Sequence, residues 1–316
     1  MFLFIIKRIA SLAPVMFGVS VAAFLSLVLS PGNPAEIALR SLTESETPPK
    51  AAILELEREM GLDRPLHVQY WRWLKRTVGG DLGRSYQTGQ SVVSEIRQAL
   101  IPSALLAGTA ILLALFIVLP CGALSASLPG SWVDKAAMAG SLAVVSVPDF
   151  CVAIMLFLIF SVQLDLLPVA GYGSFANLIL PALTLALSSS GITTRLMRTC
   201  MVQALEEKYI ITARSKGMGE CRVAGLHAMK NALPPVLTYL GAQMGYLFGG
   251  AVVVESIFLW PGLGSLLVEA VKARDIYVVQ GCVLVIACIY IFINLAVDVV
   301  QAWLDPRIQE GISHAG

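Results

Sequence analysis

Charge is scarce in this chain. Of its 316 residues, 14% are Asp, Glu, Lys or Arg, and 22 basic against 21 acidic side chains leave a formal charge of +1. Such a balance gives no electrostatic reason to expect nucleic acid as a partner, and none is implied. Histidine is scarcer still: His67, His227 and His314 are too scattered to form the ligand cluster that a bound metal requires. The six cysteines, at 121, 151, 200, 221, 282 and 288, contain no C-x-x-C pair and mostly sit inside apolar runs. They read as small buried hydrophobes, with neither a disulfide framework nor a metal site. No G-x-x-x-x-G-K-[ST] string is present to cradle phosphates in the usual way, and no H-E-x-x-H or G-x-S-x-G string. The chain is not expected to be an enzyme, nor to bind a metal or cofactor itself.

What fills the chain instead is apolar. A hydrophobic share of 57% and a mean hydropathy of +0.77 lie outside the range of soluble domains and point to an all-α, polytopic membrane protein. The 26 glycines and 16 prolines do not count against helices, because both are more frequent in membrane helices than in soluble ones. A bilayer core takes about 20 apolar residues per helix. Stretches at 9–30, 103–127, 136–164, 178–197, 236–259 and 278–303 meet that need, which predicts about six transmembrane helices. Pro120 in the second and S-V-P-D-F-C in the third predict kinks there, as membrane helices tolerate when neighbours re-satisfy the backbone. The apolar run after Lys7 and Arg8 is longer than a signal core and has no small-x-small cleavage site, so it reads as a retained first span.

Loop charges set the expected orientation. Residues 195–230 carry seven Lys/Arg against Glu206, Glu207 and Glu220, whereas 167–177 carry no basic residue. Lys7, Arg8 and Lys135 fall on the same side when six spans are counted. The positive-inside rule then places both termini and the basic segment in the cytoplasm. The nine basic and nine acidic residues of 31–100 do not overturn this, because long loops translocate largely regardless of charge. That segment predicts an amphipathic helix from about Ala51, stopped by Gly61. It then gathers Tyr70, Trp71 and Trp73, which suits a membrane interface. A folded extracytoplasmic cap is the other reading, compatible with the first. The division expected is 1–30 for the N-terminal cytoplasmic end and first span and 31–100 for a periplasmic segment. Residues 101–316 would form a five-helix core with a cytoplasmic coupling helix between the fourth and fifth spans, in a loop at about 198–235.

That loop, "YIITARSKGMGECRVAGLHAMKNALPP" over 209–235, is basic, glycine-punctuated and helical in pattern. Its first part places Tyr209, Ala213 and Gly217 along one face, with Lys208, Thr212 and Lys216 beside it. Gly217 suits a helix end that needs a left-handed residue, and Lys216 favours the negative end of that helix. A second short helix is expected from about Glu220, with Pro234 and Pro235 leading into the next span. Small residues at Ala213 and Gly217 would let another protein approach the backbone.

The A-x-x-x-G spacing after a span, the basic second helix and the closing N-A-L-P-P resemble the cytoplasmic coupling motif of bacterial ABC-importer permeases. The resemblance covers nearly the whole chain. K-R-I-A-S-L-A-P-V-M-F-G-V-S-V-A-A-F-L looks like the first span of the dipeptide/oligopeptide/nickel branch. The strings G-L-D-R-P-L-H-V-Q-Y-W-R-W-L and G-D-L-G-R-S-Y look like its periplasmic segment. G-G-A-V-V-V-E-S-I-F-L-W-P-G-L-G-S-L-L and L-D-P-R-I look like its last loop and tail. Where the broader motif begins Glu-Ala-Ala, this chain has Ile211, Thr212 and Ala213, closer to the T-A-R-A-K-G strings of that branch.

The resemblance implies a permease subunit of the bacterial inner membrane that pairs with a second homologous permease. Two ATP-binding subunits carrying ATP and Mg would receive the loops through Ala213, Arg214, Lys216 and Gly217, and a periplasmic binding protein would deliver nickel, free or chelated, or di- and oligopeptides. The short stretch L-P-V-A-G-Y-G-S-F-A-N-L-I-L-P looks more like metal-chelate members. Against docking stands an ordinary basic loop that obeys topology alone. The other class kept open is an ion-coupled secondary transporter, with its own midplane sites and broken helices.

Asp149, beside Pro148 in the third span, is a candidate pathway residue for a cationic or amine-bearing cargo, since a carboxylate there is costly unless it faces the bundle interior or water. The alternative is a group that satisfies backbone freed by the proline, or that pairs with a neighbouring helix. Asp298 and Asp305, seven residues apart on one helical face with Arg307 following, read as interfacial anchoring and salt-bridging. Glu255, where the fifth span approaches the periplasm, reads by default as packing or loop-capping that orients the loop 260–264.

Overall fold

A computed structural model describes residues 2–28, 33–43 and 48–304. Asp305, Arg307 and the L-D-P-R-I tail beyond Leu304 lie outside the described residues. In chain order the helices are α1 (Phe2–Val28), α2 (Pro34–Thr43), α3 (Lys50–Met60), α4 (Leu66–Val78) and α5 (Val92–Ser127). They continue as α6 (Trp132–Ser146), α7 (Asp149–Phe157), α8 (Phe175–Glu206), α9 (Lys208–Ser215) and α10 (Glu220–Arg222). The last are α11 (Met229–Gly250), α12 (Val252–Ile257), α13 (Leu263–Ala273) and α14 (Ile276–Leu304). π-Helical turns extend α7 through Leu158–Gln163 and join α10 to α11 through Val223–Ala228. The expected all-α class holds, with no strand among the described residues.

Three of these helices are long and apolar enough to cross a bilayer, at Val92–Ser127, Phe175–Glu206 and Ile276–Gln301, and a shorter apolar helix covers Ala10–Ser26. Two expected spans differ from the sequence reading. The stretch 136–164 is not one kinked helix, because α6 and α7 meet at 103° across a two-residue break. The cause is local. Pro148 has no N–H to donate and forces its predecessor out of the helical region, and Val147 is extended at φ −103°, ψ 127°. The stretch 236–259 is also divided. Its helix, α11, starts seven residues earlier at Met229 and passes through Pro234 and Pro235, and α12 follows after Ala251. By contrast α5 continues unbroken through Pro120.

The chain forms two compact units. One comprises residues 7–103 and 261–291. Within it, α3 ends as expected at Gly61, which is left-handed at φ 72°. Tyr70 and Trp73 of α4 turn inward against Phe24 of α1, and the Tyr70 hydroxyl hydrogen-bonds Ser20 at 2.7 Å. Of the three clustered aromatics, Trp71 is the one left largely exposed. Buried Asp275 at the start of α14 accepts hydrogen bonds from the Ser85 hydroxyl at 2.6 Å and the Gln87 N–H at 3.3 Å. These bonds close the 85–91 turn over α14.

The second unit comprises, among the described residues, 2–6, 104–260 and 292–304. Its axis is α8, which packs against α6, α7 and α11. Close approach depends on Gly191 of α8. A Cβ there would meet Val145 Cγ2 at 2.5 Å and the Ser141 carbonyl at 2.9 Å, so any side chain would push α6 away. Small residues at helix crossings are how membrane bundles gain packing without a hydrophobic driving force.

The candidate coupling loop and the core beneath it

After α8 the chain turns at Glu207, whose backbone is extended at φ −71°, ψ 148°, and re-enters a helix at Lys208. Eight residues of helix present two different sides. Ile210 is fully buried and Ala213 is 6% exposed, and both belong to a core with Ala126, Met197, Met201, Ala204, Val223 and Ala228. Ile211, Arg214, Lys216 and Gly217 are exposed. The expected shared face of Tyr209, Ala213 and Gly217 is therefore corrected. Ala213 is small because it packs against its own chain, and it offers no approach to a partner. Tyr209 is tied sideways by the Asn231 side-chain amide of α11 at 2.6 Å.

Gly217 occupies the position its sequence context requires. Its φ is +76°, its N–H donates to the Arg214 carbonyl at 2.9 Å, and a Cβ there would meet nothing within 4 Å. The constraint is backbone handedness alone, since a non-glycine residue is strained there whatever the space. Arg214 then closes the turn with a two-pronged contact to Glu220, Nε–Oε1 at 2.8 Å and Nη2–Oε2 at 3.0 Å. The guanidinium holds the Glu220 carboxyl below its ordinary range. Arg214 is thus engaged within the loop, while Lys216 and Gly217 form its outward tip.

Beneath the loop lies a charged cluster that sequence reading missed. Arg198 of α8 grips Asp134 of α6 with both prongs, Nε–Oδ1 at 2.7 Å and Nη2–Oδ2 at 2.8 Å. Asp134 also accepts from the Ser125 hydroxyl of α5 and from the Gly130 N–H at 2.9 Å. Asp134 is 5% exposed and Ser125 fully buried. Half of this was legible, because Ser131 caps α6 and accepts from the Asp134 N–H at 3.2 Å, the local S-x-x-D pattern of a helix start.

Asp149 sits elsewhere than expected. It opens α7, directly after the break, and is half-buried, so it does not lie mid-way along a continuous span. No hydrogen bond or ion pair to its carboxylate occurs among the described residues. A carboxylate in a first helical turn is favoured by the positive end of the helix dipole, which supplies a local reason for it. Glu255 has the packing and loop-holding place expected of it: it is 1% exposed, and its carbonyl accepts the Trp260 N–H at 2.8 Å. Trp260 is itself buried against Tyr172, ring edge to face at 4.9 Å. In the other unit, Ser85, Glu95, Gln98, Ser265, Glu269 and Asp275 line a cavity of about 340 Å³. Among the described residues no group of three or more His, Cys, Asp or Glu is placed to hold a metal.

A helical bundle with several membrane-length apolar helices and a short, exposed basic loop helix has the form of a transporter's membrane subunit. The fold agrees with that class: a solved structure titled as an amino acid ABC transporter with histidines matches at a TM-score of 0.50 and 17% identity, over 68% of this chain and 94% of that one. The family follows from sequence. Residues 118–310 match the model described as binding-protein-dependent transport system inner membrane component, and 1–107 match its N-terminal companion. The glutathione transport system permease protein GsiC of Escherichia coli K12 is 37% identical over 307 residues, covering 97% of this chain and 98% of that protein. The GsiC protein of Salmonella paratyphi A is also 37% identical, over 306 residues. The chain belongs to the binding-protein-dependent transport family and is a permease subunit of an ABC importer in the inner membrane. ATP hydrolysis belongs to separate subunits, and the ion-coupled alternative has no support.

Proposed function

We propose that this chain forms half of the translocation pathway of an importer for glutathione or similarly short peptides, with its 208–222 loop in the cytoplasm. A second permease completes the pathway, two ATP-binding subunits receive the loops, and a periplasmic binding protein delivers the cargo. Both termini are cytoplasmic, following the basic residues of 195–230. Lys216 and Gly217 make the docking contact, and Arg214 shapes it from behind through Glu220. Ala213 supports the contact from inside. The substrate class rests on the GsiC relatives, which are glutathione permeases, and we prefer it to the nickel or metal-chelate reading of the short 167–181 stretch. Asp149, half-buried and without a partner among the described residues, lines the route.

The observation that carries the docking reading is the left-handed turn at Gly217, exposed at the tip of a helix whose other side is locked into the core. Two variants test it in the reconstituted importer. Gly217→Asn keeps the left-handed turn accessible while adding a side chain, and Gly217→Leu adds bulk and strain. Both should insert at parental levels and lose stimulation of ATP hydrolysis. Full stimulation with the Leu variant overturns docking at this tip. Calorimetry on the cognate binding protein, with glutathione, dipeptides and nickel chelates in parallel, tests the substrate: tighter binding of a nickel chelate than of either peptide class defeats the peptide assignment.

A further inference from the structure

We propose that Asp134 and Arg198 are positioning residues for transport, a clamp that fixes the register of α6 on α8 so that motion of α9 is delivered to α6 without slip. The inference rests on the docking of α9 proposed above and concerns what happens to the motion afterwards.

Only Glu207 separates α8 from α9, and Ile210 and Ala213 are buried in one core with Met197, Met201 and Ala204 of α8 and Ala126 of α5. A push on α9 is therefore borne directly by α8. At the same level α5 lies hard against α8, since a Cβ on Gly122 would meet Met197 Cγ at 2.5 Å. The next link is α6, which α8 holds at two points. One is the fork from Arg198 to Asp134, and the other is the close approach of Gly191 to Ser141 and Val145. Residues 191 and 198 are seven apart on α8, and 134 and 141 are seven apart on α6, so each pair lies on one face two turns apart. The two helices run antiparallel, locked at both ends of a two-turn contact.

Packing alone would hold α6 near α8, and apolar side chains would do so with less desolvation cost. What the half-buried fork adds is geometry. Two parallel N–H to oxygen bonds fix rotation as well as distance, and a point charge cannot reproduce them. The remaining acceptor capacity of Asp134 is taken by Ser125 and Gly130, so one carboxylate joins the end of α5, the turn after it, α6 and α8. Register setting is the best-attested use of a buried ionic group. Beyond α6 lies the break at Val147 and Pro148, where the chain bends by 103° into α7. A helix that cannot slip on α8 passes its displacement to that break.

The test uses the complete importer in lipid nanodiscs. Variants Arg198→Lys and Asp134→Asn are compared with the parent for stimulation of ATP hydrolysis by the binding protein charged with glutathione, per folded complex. Arg198→Lys keeps the charge but not the fork, so a role in net charge balance is rescued by it and a register role is not. The expected result is a roughly tenfold loss of stimulation in both, which matches loss of an ordered two-bond contact. Independently, spin labels at Ala136→Cys on α6 and Ile211→Cys on α9, in a background without other cysteines, should report one distance that is the same without nucleotide and after trapping with ATP and vanadate. Arg198→Lys should broaden that distance. Parental stimulation in both clamp variants, or a label distance that changes between the two states of the parent, overturns the clamp. If a clamp variant does not fold, the parental distance alone decides. Gly217→Asn, measured alongside, separates the two ideas: if it keeps stimulation the docking reading fails, and if it loses stimulation while the clamp variants keep it, only the clamp fails.

Discussion

Asp134 and Asp149 are fifteen residues apart and have the same local role, each an acidic residue in the first turn of a helix. Their surroundings differ completely. Asp134 is buried under four donors from α5, the following turn and α8, whereas Asp149 is half-buried with no partner among the described residues. The contrast shows that a carboxylate's position in a helix says little about its job. What decides it is which helix crosses over it. α8 passes Asp134 with an arginine and passes the α6–α7 region near Ser141 with a glycine, so the ionic contact is made only at one end.

The strongest way to break that contrast is to strip Asp134 of its fork. Arg198→Leu leaves a buried carboxylate with only neutral donors, and folded, monodisperse protein should fall roughly tenfold, because removing one partner of a buried pair is far costlier than replacing both. The paired replacement Asp134→Asn with Arg198→Leu should recover part of the loss, as measured by size-exclusion yield. A double variant worse than Arg198→Leu would show that the pair is not the unit. A smaller effect is expected at Asp149. In the proposed pathway role it can lose its charge without loss of fold, so Asp149→Asn should slow glutathione uptake severalfold at unchanged inserted protein, an outcome in line with the functional use of ionisable groups in membrane bundles. Parental uptake by that variant would reduce Asp149 to a helix-start residue, and Asp149→Leu would then lower folded yield instead.

The loop itself sharpens the comparison from outside the bilayer. Lys216→Glu at the exposed tip should weaken the proposed contact with the ATP-binding subunits and cut stimulation by a fewfold, with salt titration moving the parent in the same direction, since exposed pairs are screened. Unchanged stimulation at every salt concentration would assign Lys216 to topology alone. The smallest expected effect is a pH response of the turn. Arg214 lowers the Glu220 carboxyl below its ordinary range. The fork's contribution is therefore present above the ordinary glutamate pKa and is lost as pH falls through the lowered value. Both side chains are substantially exposed, at 44% and 69%, so the change is modest. Hydrogen exchange across 214–220 should quicken, relative to the rest of the chain, as pH drops from neutral to about 3. Absence of any relative change would show that the fork does not order the turn.

Much of the fold was legible because its causes are local. Gly61 and Gly217 were read as helix ends from their place after amphipathic segments, and both are left-handed, since only glycine takes that conformation without a Cβ penalty. The disturbance at Pro148 was legible in kind, but not its size, because a proline predicts a lost hydrogen bond and says nothing about whether neighbours restore the helix axis. The start of α11 was placed too late for the mirror-image reason: Pro234 and Pro235 stand within the helix and do not precede it. Ala213 illustrates a different limit. Its smallness was visible, while the direction it faces depended on where α5 and α11 pass. Glu255 was legible as a loop-holding residue from its place just before 260–264, while its near-complete burial beside Trp260 was not.

By itself the sequence determined that this is an all-helical membrane protein, and where its basic loop turns. Hydropathy, loop charge and capping glycines are each properties of a short stretch and act within it. Only the tertiary structure decided that Asp134 belongs to Arg198, 64 residues further on, that Ala213 faces inward, and that Asp149 follows a break and does not interrupt a span. Those outcomes depend on how closely α8 approaches α5 and α6, and that distance is set by glycines at 122 and 191 whose significance appears only when another helix lies across them.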